Sequence, residues 1–354
     1  MSLEHLARAV RKAIVLAVVG MPVLAACSGA GGGPGPTASI VVLRINAPVH
    51  KPTWSDHTGA LFALTDDHRI AKIDPSGQPS APPTARTILS APFPDVAENL
   101  VTGITEAVVY LPQPKLGRIA ILSEEDLRQV GTVQAGPAPS FLALDSGSDH
   151  LLALSEDRST VTPIDLHDNS VLPFQEVDAG PDAELDGAKR GRLIDYHTAG
   201  PMGITHHKGS PGSVEDKGGI GISAEKTAGD LTKSSRVYVA ESDTGRLLAV
   251  DSKRSGDGLE VVAQANLGEP VRYVGVDETR IYAATEHTLV VLKTNSFEGY
   301  HEQTFPVVTR IDFRSALQGE AKNAPLSGLA TGPDRVYLTL KGQPCMVSVA
   351  KPSI

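Results

Sequence analysis

From residue 39 onward, short apolar runs alternate with clusters of Asp, Gly, Ser and Pro, and the runs are too brief for amphipathic helices. Six share one form, a Val-, Leu- or Ile-rich strand entered from a polar turn: Leu61–Leu64, Val108–Leu111, Leu151–Leu154, Val237–Ala240, Ile281–Ala284 and Val336–Thr339. Their starts lie 47, 43, 86, 44 and 55 residues apart, so four intervals fit one unit and the remaining one is twice 43. Repetition at this period is the first thing the chain states about itself.

Within each unit the same order recurs. A small apolar strand comes first, as in Thr102–Thr105, Phe141–Leu144, Tyr273–Val276 and Ser327–Ala330. A turn follows, such as Asp145–Asp149 or Gly332–Asp334, and leads into the recurrent strand. A third strand comes next (Arg69–Asp74, Gly117–Leu122, Arg246–Asp251), then a more variable fourth such as Leu259–Ala263. Strands this short with turn residues between them predict antiparallel hairpins, and four-stranded units of roughly 40–50 residues predict propeller blades.

The expected fold class is therefore all-β: a β-propeller of four-stranded antiparallel blades, six of them, with seven as the alternative. Six blades leave an excess between Gly180 and Ser235, read as a Gly/Asp/Lys-rich loop insertion or a degenerate blade at 181–235. Met202–Thr205 and Ile220–Ser223 each look like a first strand, which keeps the seventh blade open. Pro163, inside Val161–Asp165, suits an outer or edge position because it has no N–H to donate. The last unit stops after its third strand, Cys345–Val349, and Ser39–Ile45 is expected to supply the fourth and close the ring.

One unit carries a family resemblance. Arg236–Asp251 (RVYVAESDTGRLLAVD) resembles the YVTN-type repeat of surface-layer and periplasmic propellers, with its Tyr-Val strand, Gly turn and Val-Asp strand. The resemblance implies a fold and says little about a reaction.

The N-terminus reads as an address. Arg8, Arg11 and Lys12 precede an uncharged stretch from Ala13 to Cys27, shorter than the roughly 20 residues that span a bilayer as a helix. It ends in Leu24-Ala25-Ala26-Cys27, which resembles the bacterial lipobox. The resemblance implies a signal peptide over 1–26, cleavage after Ala26, and a diacylglyceryl (palmitate-type) anchor on the Cys27 thiol. Residues 27–38 then form a Gly/Pro/Ser tether, and 39–354 one propeller domain. With the lipobox, the chain resembles propeller lipoproteins of actinobacteria, which places the expected body at the outer face of the cytoplasmic membrane. Loss of residues 1–26 removes Glu4, Arg8, Arg11 and Lys12, leaving 29 basic and 40 acidic residues and a charge of −11 instead of −9. That balance argues against nucleic-acid binding. Cys345 then has no partner for a disulfide and is expected to be buried and inert.

Catalytic signatures are absent: there is no Gly-x-Ser-x-Gly, no Gly-x-x-x-x-Gly-Lys and no His-Glu-x-x-His. Asp145–Asp149 reads as a turn that needs no ion, and Glu124–Asp126 as solvated turn acids. The densest polar constellation is Asp195, His197, His206 and His207, with Glu215 and Asp216 nearby. Imidazoles and carboxylates are ordinary zinc ligands, so a divalent metal is the one cofactor this segment suggests, although adjacent His206 and His207 point to opposite faces if they lie on a strand. The alternatives are a solvated or hydrogen-bonded loop, or an interaction loop that serves a ligand or partner without metal. Trp54, the only Trp, and His57 are candidates for the mouth of the channel.

Three functions follow as expectations. The first is a non-enzymatic binding or scaffold protein of the cell envelope, monomeric, with a protein or glycan partner. The second is a metal-dependent, lactonase-like hydrolase, and the third is zinc handling through the His-bearing segment.

Overall fold

A computed structural model describes residues 39–78 and 83–353, and its regular elements there are β-strands and four short 3-10 helices. Ala26, Cys27, the signal segment and the tether at 27–38 lie outside the described residues. None of the described helices is long and apolar enough to cross a membrane.

Strand β1 (Ile40–Arg44) comes first. Next, β2 (His50–Ser55), β3 (Ala60–Leu64), β4 (Ile70–Gln78) and β5 (Thr84–Leu89) form an antiparallel set. The second set is β6 (Val101–Thr102), β7 (Val108–Gln113), β8 (Arg118–Ser123) and β9 (Gln129–Val133). The third is β10 (Pro139–Asp145), β11 (His150–Ser155) and β12 (Thr160–Asp165), with β13 (Ser170–Val171) and β14 (Gln175–Glu176) both paired to β12. After it come β15 (Glu184–Gly187), β16 (Ile194–Gly200), β17 (Gly203–Ser210) and β18 (Ser213–Ile220), then β19 (Ala224–Gly229), β20 (Arg236–Glu241), β21 (Arg246–Ser252) and β22 (Leu259–Asn266). A further set is β23 (Tyr273–Val276), β24 (Arg280–Ala284), β25 (Thr288–Lys293) and β26 (Val307–Asp312). The chain finishes with β27 (Leu326–Thr331), β28 (Arg335–Leu340) and β29 (Cys345–Ala350). β1 returns to lie antiparallel to β29, Val42 opposite Val347. One parallel bridge, Arg44 to Thr84, links β1 to β5.

The first strands of successive sets adjoin one another, from β2 through β6, β10, β15, β19 and β23 to β27, and β27 lies against β2. The core is divided in the same way. Each buried apolar cluster joins two consecutive sets, as where Phe141 and Leu152 meet Leu185 and Tyr196. Another joins the last set to the first through Leu61, Ala63, Tyr337 and Met346. A sheet packed on both faces needs apolar residues on both, which is why β3, β7 and β11 are buried along their whole length and read as unbroken runs. The outer strands β9 and β26 are largely exposed, and their sequences are correspondingly weak.

Of the two readings of residues 181–235, the strands match the further sheet and not the loop insertion: β15 to β18 make a four-stranded sheet, and β19 begins the next. Its second strand starts at Ile194, midway between Leu151 and Val237, which resolves the double interval. Met202–Thr205 runs into the third strand β17, and Ile220–Ser223 leaves the fourth strand β18; neither is a first strand. Pro163 sits within the sheet, on β12 between two neighbours. It is tolerated because β12 pairs with β14 before it and with β13 after it, so its missing N–H falls at the change of partner.

Candidate functional site

Strand β15 reads Glu184-Leu185-Asp186-Gly187. Successive side chains on a strand face opposite ways, so Glu184 and Asp186 share one face while Leu185 enters the core between sets. Gly187 allows this strand its place: a Cβ there would collide with the Leu144 carbonyl oxygen of β10. The shared face of the two carboxylates looks onto a central channel.

At one end the channel narrows to about 190 Å³, with walls that include Lys51, Leu100, Phe141, Glu184, Lys226 and Tyr273. Here Lys226 Nζ donates to Glu184 Oε1 at 2.7 Å, and Lys51 Nζ reaches the same oxygen at 3.4 Å. Three first strands are thereby tied across the channel. Burial, together with the negative charges of Glu184, Glu286 and Glu225, pushes the Tyr273 hydroxyl up to about 12.

The other end opens into a cavity of about 760 Å³, lined by the far ends of β2, β15, β19, β23 and β27 and by Lys351 beyond β29. Asp186 stands in its wall. Its Oδ2 is buried against Gly229 and has no hydrogen-bond partner. Burial raises its carboxyl to about 6, Lys189 opposing and Glu184 adding to the shift. The cations of this mouth are engaged elsewhere. Lys189 Nζ donates to the Leu144 carbonyl at 3.1 Å, Lys351 Nζ to Asp277 Oδ2 at 2.8 Å, and Arg280 lies 3.5 Å from the same Asp277 oxygen. Against the opposing effect of burial, hydrogen bonds from Lys351, the Tyr282 hydroxyl and the Thr279 N–H hold Asp277 down at about 2.

Trp54 is among the residues that line this mouth. Its ring stacks on Tyr337 at 5.7 Å with planes 4° apart, and its Nε1 donates to Asp56 Oδ1 at 2.8 Å. His57 lies in the exposed turn after β2, where its Nε2 is 3.0 Å from the Ile104 carbonyl, and is not part of the cavity wall.

The histidine constellation sits on strands. Asp195 and His197 belong to β16, His206 and His207 to β17, and all four are buried. His206 Nε2 donates to Asp195 Oδ1 at 2.8 Å, and its Nδ1 accepts from the Ser252 hydroxyl at 3.0 Å. Lys208 Nζ adds a 2.6 Å bond to Asp195. Burial would raise the Asp195 carboxyl, but the hydrogen bonds from His206 and Lys208 outweigh it and hold the group below the ordinary value. His197 stacks on His206 at 4.7 Å, and His207 on Tyr196 at 4.8 Å. Burial pushes His197 down to about 3 and His207 to about 4, so both are neutral.

With both ring nitrogens of His206 spent and the rings stacked, the cluster does not converge on an ion. Among the described residues no three His, Cys, Asp or Glu side chains are grouped to hold a metal. On β18, Asp216 stands opposite His207 in register and takes the Gly218 N–H, while the exposed Glu215 pairs with Lys217. Ser252, His206 and Asp195 have the connectivity of a hydrolytic relay. The Ser252 and Lys253 N–H groups, however, are spent on the Ser235 and Gly258 carbonyls, which leaves neither to receive an oxyanion. The relay joins two sheets.

Two other features differ from expectation. Glu124 is fully buried, where Ser55 Oγ at 2.6 Å and Thr58 Oγ1 at 3.0 Å donate to its Oε2, so it is a tie between the first two sets and not a solvated acid. Cys345 is half-buried, and burial raises its thiol. Asp145 closes its own turn through the Gly147 and Ser148 N–H groups and takes the Asp195 N–H at 2.7 Å. Asp186, Glu184, Lys51 and Lys226 were not singled out by the sequence. The alternation in Glu184-Leu185-Asp186 was the available signal, hidden inside a segment read as loop.

No family model and no curated protein matches the chain. Solved structures do. The WD40 repeats of RRP9 superpose with a TM-score of 0.63 at 12% identity, covering 89% of this chain and 98% of that one. A streptogramin B lyase gives 0.62 at 12%, covering 87% and 96%. The virginiamycin B lyase of Staphylococcus aureus gives 0.57 at 10%, covering 88% and 99%. The chain has a β-propeller fold, and at these identities the likeness extends to the fold alone.

Proposed function

We propose that this protein is a lipid-anchored, extracytoplasmic propeller that binds a ligand at the wide mouth of its channel without transforming it. In this reading the ring has seven blades, β1 completing the last by pairing with β29, and Cys27 carries the anchor. The single observation that carries the binding role is the 760 Å³ cavity, of a size that suits a small ligand or an inserted side chain, with an unpartnered carboxylate in its wall. The lipobox-like Leu24–Cys27 and the Gly/Pro/Ser stretch after it support the anchor and the envelope location. A partner protein or glycan of the envelope would present the group that enters the mouth.

Two measurements test this. The full-length chain should incorporate labelled palmitate and sediment with membranes, and Cys27→Ser should abolish both. Purified chain should show a thermal shift with fractions extracted from its own cell envelope, lost in Thr227→Trp, which fills the mouth from β19. Equal shifts in the two proteins would remove the mouth as the binding site, and a soluble, unlabelled wild type would remove the anchor.

A further inference from the structure

The chemistry of the mouth narrows what can enter it. Glu184 and Asp186 lie two residues apart on the same face of β15, yet only Glu184 is neutralised, by Lys226 and Lys51. Asp186 keeps a buried oxygen without a donor, although the residue is only partly buried and lines the cavity. Lys189, close enough to be felt electrostatically, turns its ammonium to a backbone carbonyl instead. A carboxylate so placed is costly unless a cation accompanies it.

We propose that Asp186 is the counter-ion for an organic cation, an ammonium or guanidinium group inserted into the channel mouth. This rests on the binding role assigned to the mouth and names the class of ligand. The charged groups that surround the site are Glu184 on the same strand, Lys189 beyond it, Asp56 after β2, Asp277 and Glu278 between β23 and β24, Arg280 at the start of β24, and Lys351 beyond β29. Asp277 takes Lys351 and Arg280, whose Nε keeps no acceptor, Asp56 holds the Trp54 indole and Glu278 is exposed, so the buried carboxylate oxygen of this mouth that lacks a donor is that of Asp186. Gly229 supports the arrangement from β19: a Cβ there would come within 2.8 Å of Asp186 Oδ2 and displace the carboxylate.

The test is calorimetric titration of the full-length chain with spermidine, with agmatine and with uncharged butanol. Spermidine or agmatine should bind and butanol should not. Asp186→Asn should weaken binding by roughly tenfold or more. Gly229→Ala should weaken it less, and both variants should keep the wild-type thermal midpoint or exceed it. Affinity in the wild type should fall as the pH drops below about 6, where Asp186 takes up a proton, and the Asp186→Asn profile should be flat. Unchanged affinity in Asp186→Asn, or a wild type that binds neither amine, overturns the proposal. Loss of amine binding in Asp186→Asn while Thr227→Trp leaves the envelope-fraction shift intact would uphold the cation site and refute the wider binding role.

Discussion

His206 and Ser252 join two neighbouring sheets through a single hydrogen bond, Ser252 Oγ to His206 Nδ1 at 3.0 Å, between residues 46 apart in sequence. The other nitrogen of the same ring is fixed on Asp195. His206→Ala therefore removes a bridge between sheets and also strips a buried carboxylate of one of its donors. It should cost about 3 kcal/mol in urea unfolding, and Ser252→Ala about 1 kcal/mol. Equal costs would mean that Asp195 is satisfied without the imidazole.

Acid should weaken the fold through His197 and His207. Their folded values, about 3 and about 4, lie below the ordinary 6.5, so between those limits the unfolded chain binds more protons than the folded one. Their contribution is complete above pH 6.5 and is lost as the pH falls, with a slope of up to about 1.4 kcal/mol per pH unit for each ring. Urea midpoints at pH 7.5 and 5 measure it. The double variant His197→Gln with His207→Gln should show a shallower loss over that interval.

Arg236 forms a buried fork with Asp251, Nε to Oδ1 at 2.7 Å and Nη2 to Oδ2 at 3.0 Å, and its guanidinium lies 5.0 Å from the centre of the Tyr300 ring. Lysine cannot reproduce the two parallel bonds. Arg236→Lys should lower stability by about 2 kcal/mol and Arg236→Ala by about 3–5 kcal/mol, read from denaturant midpoints.

The pairing of β1 with β29 should protect the last set from association. Val42→Pro, opposite Val347, removes a backbone donor and introduces a ring that breaks the pairing. The freed edge of β29 then becomes available to other chains, so size-exclusion chromatography should show concentration-dependent oligomers that the wild type lacks.

Carboxylate burial predicts the opposite sign at Asp186. Its raised value means that the ionised form is disfavoured in the fold, so this contribution to stability declines as the pH rises through 4 to 6. Asp186→Asn should consequently raise stability at pH 7.5 by on the order of 1 kcal/mol, measured by thermal unfolding. A destabilised variant would show that the carboxylate has a donor in the folded chain.

Legibility along the chain follows burial. Strands such as β3 and β20 are packed on both faces, so their unbroken apolar runs announced them and set the spacing of the unit. Strand β16 is buried just as completely, but with Asp195, His197 and Thr198 among its residues, and buried polar side chains leave no hydrophobic trace. The segment therefore read as a loop insertion or a degenerate blade, with its histidines open between hydrogen-bonded and metal-binding roles. Glu124 was misjudged because its partners, Ser55 and Thr58, are 69 and 66 residues away.

The rhythm of strands and turns, the four-stranded unit and the return of the N-terminal strand were determined by the sequence alone, since each depends on local alternation and on which residues a turn or a doubly packed strand accepts. Only the tertiary structure decided which carboxylate of β15 is neutralised. Lys51 and Lys226, 133 and 42 residues from Glu184, reach that residue across the channel, and no cation makes a hydrogen bond to Asp186 Oδ2 two positions on. Charge compensation in a channel is settled by strands brought together from distant parts of the chain, and no local pattern encodes it.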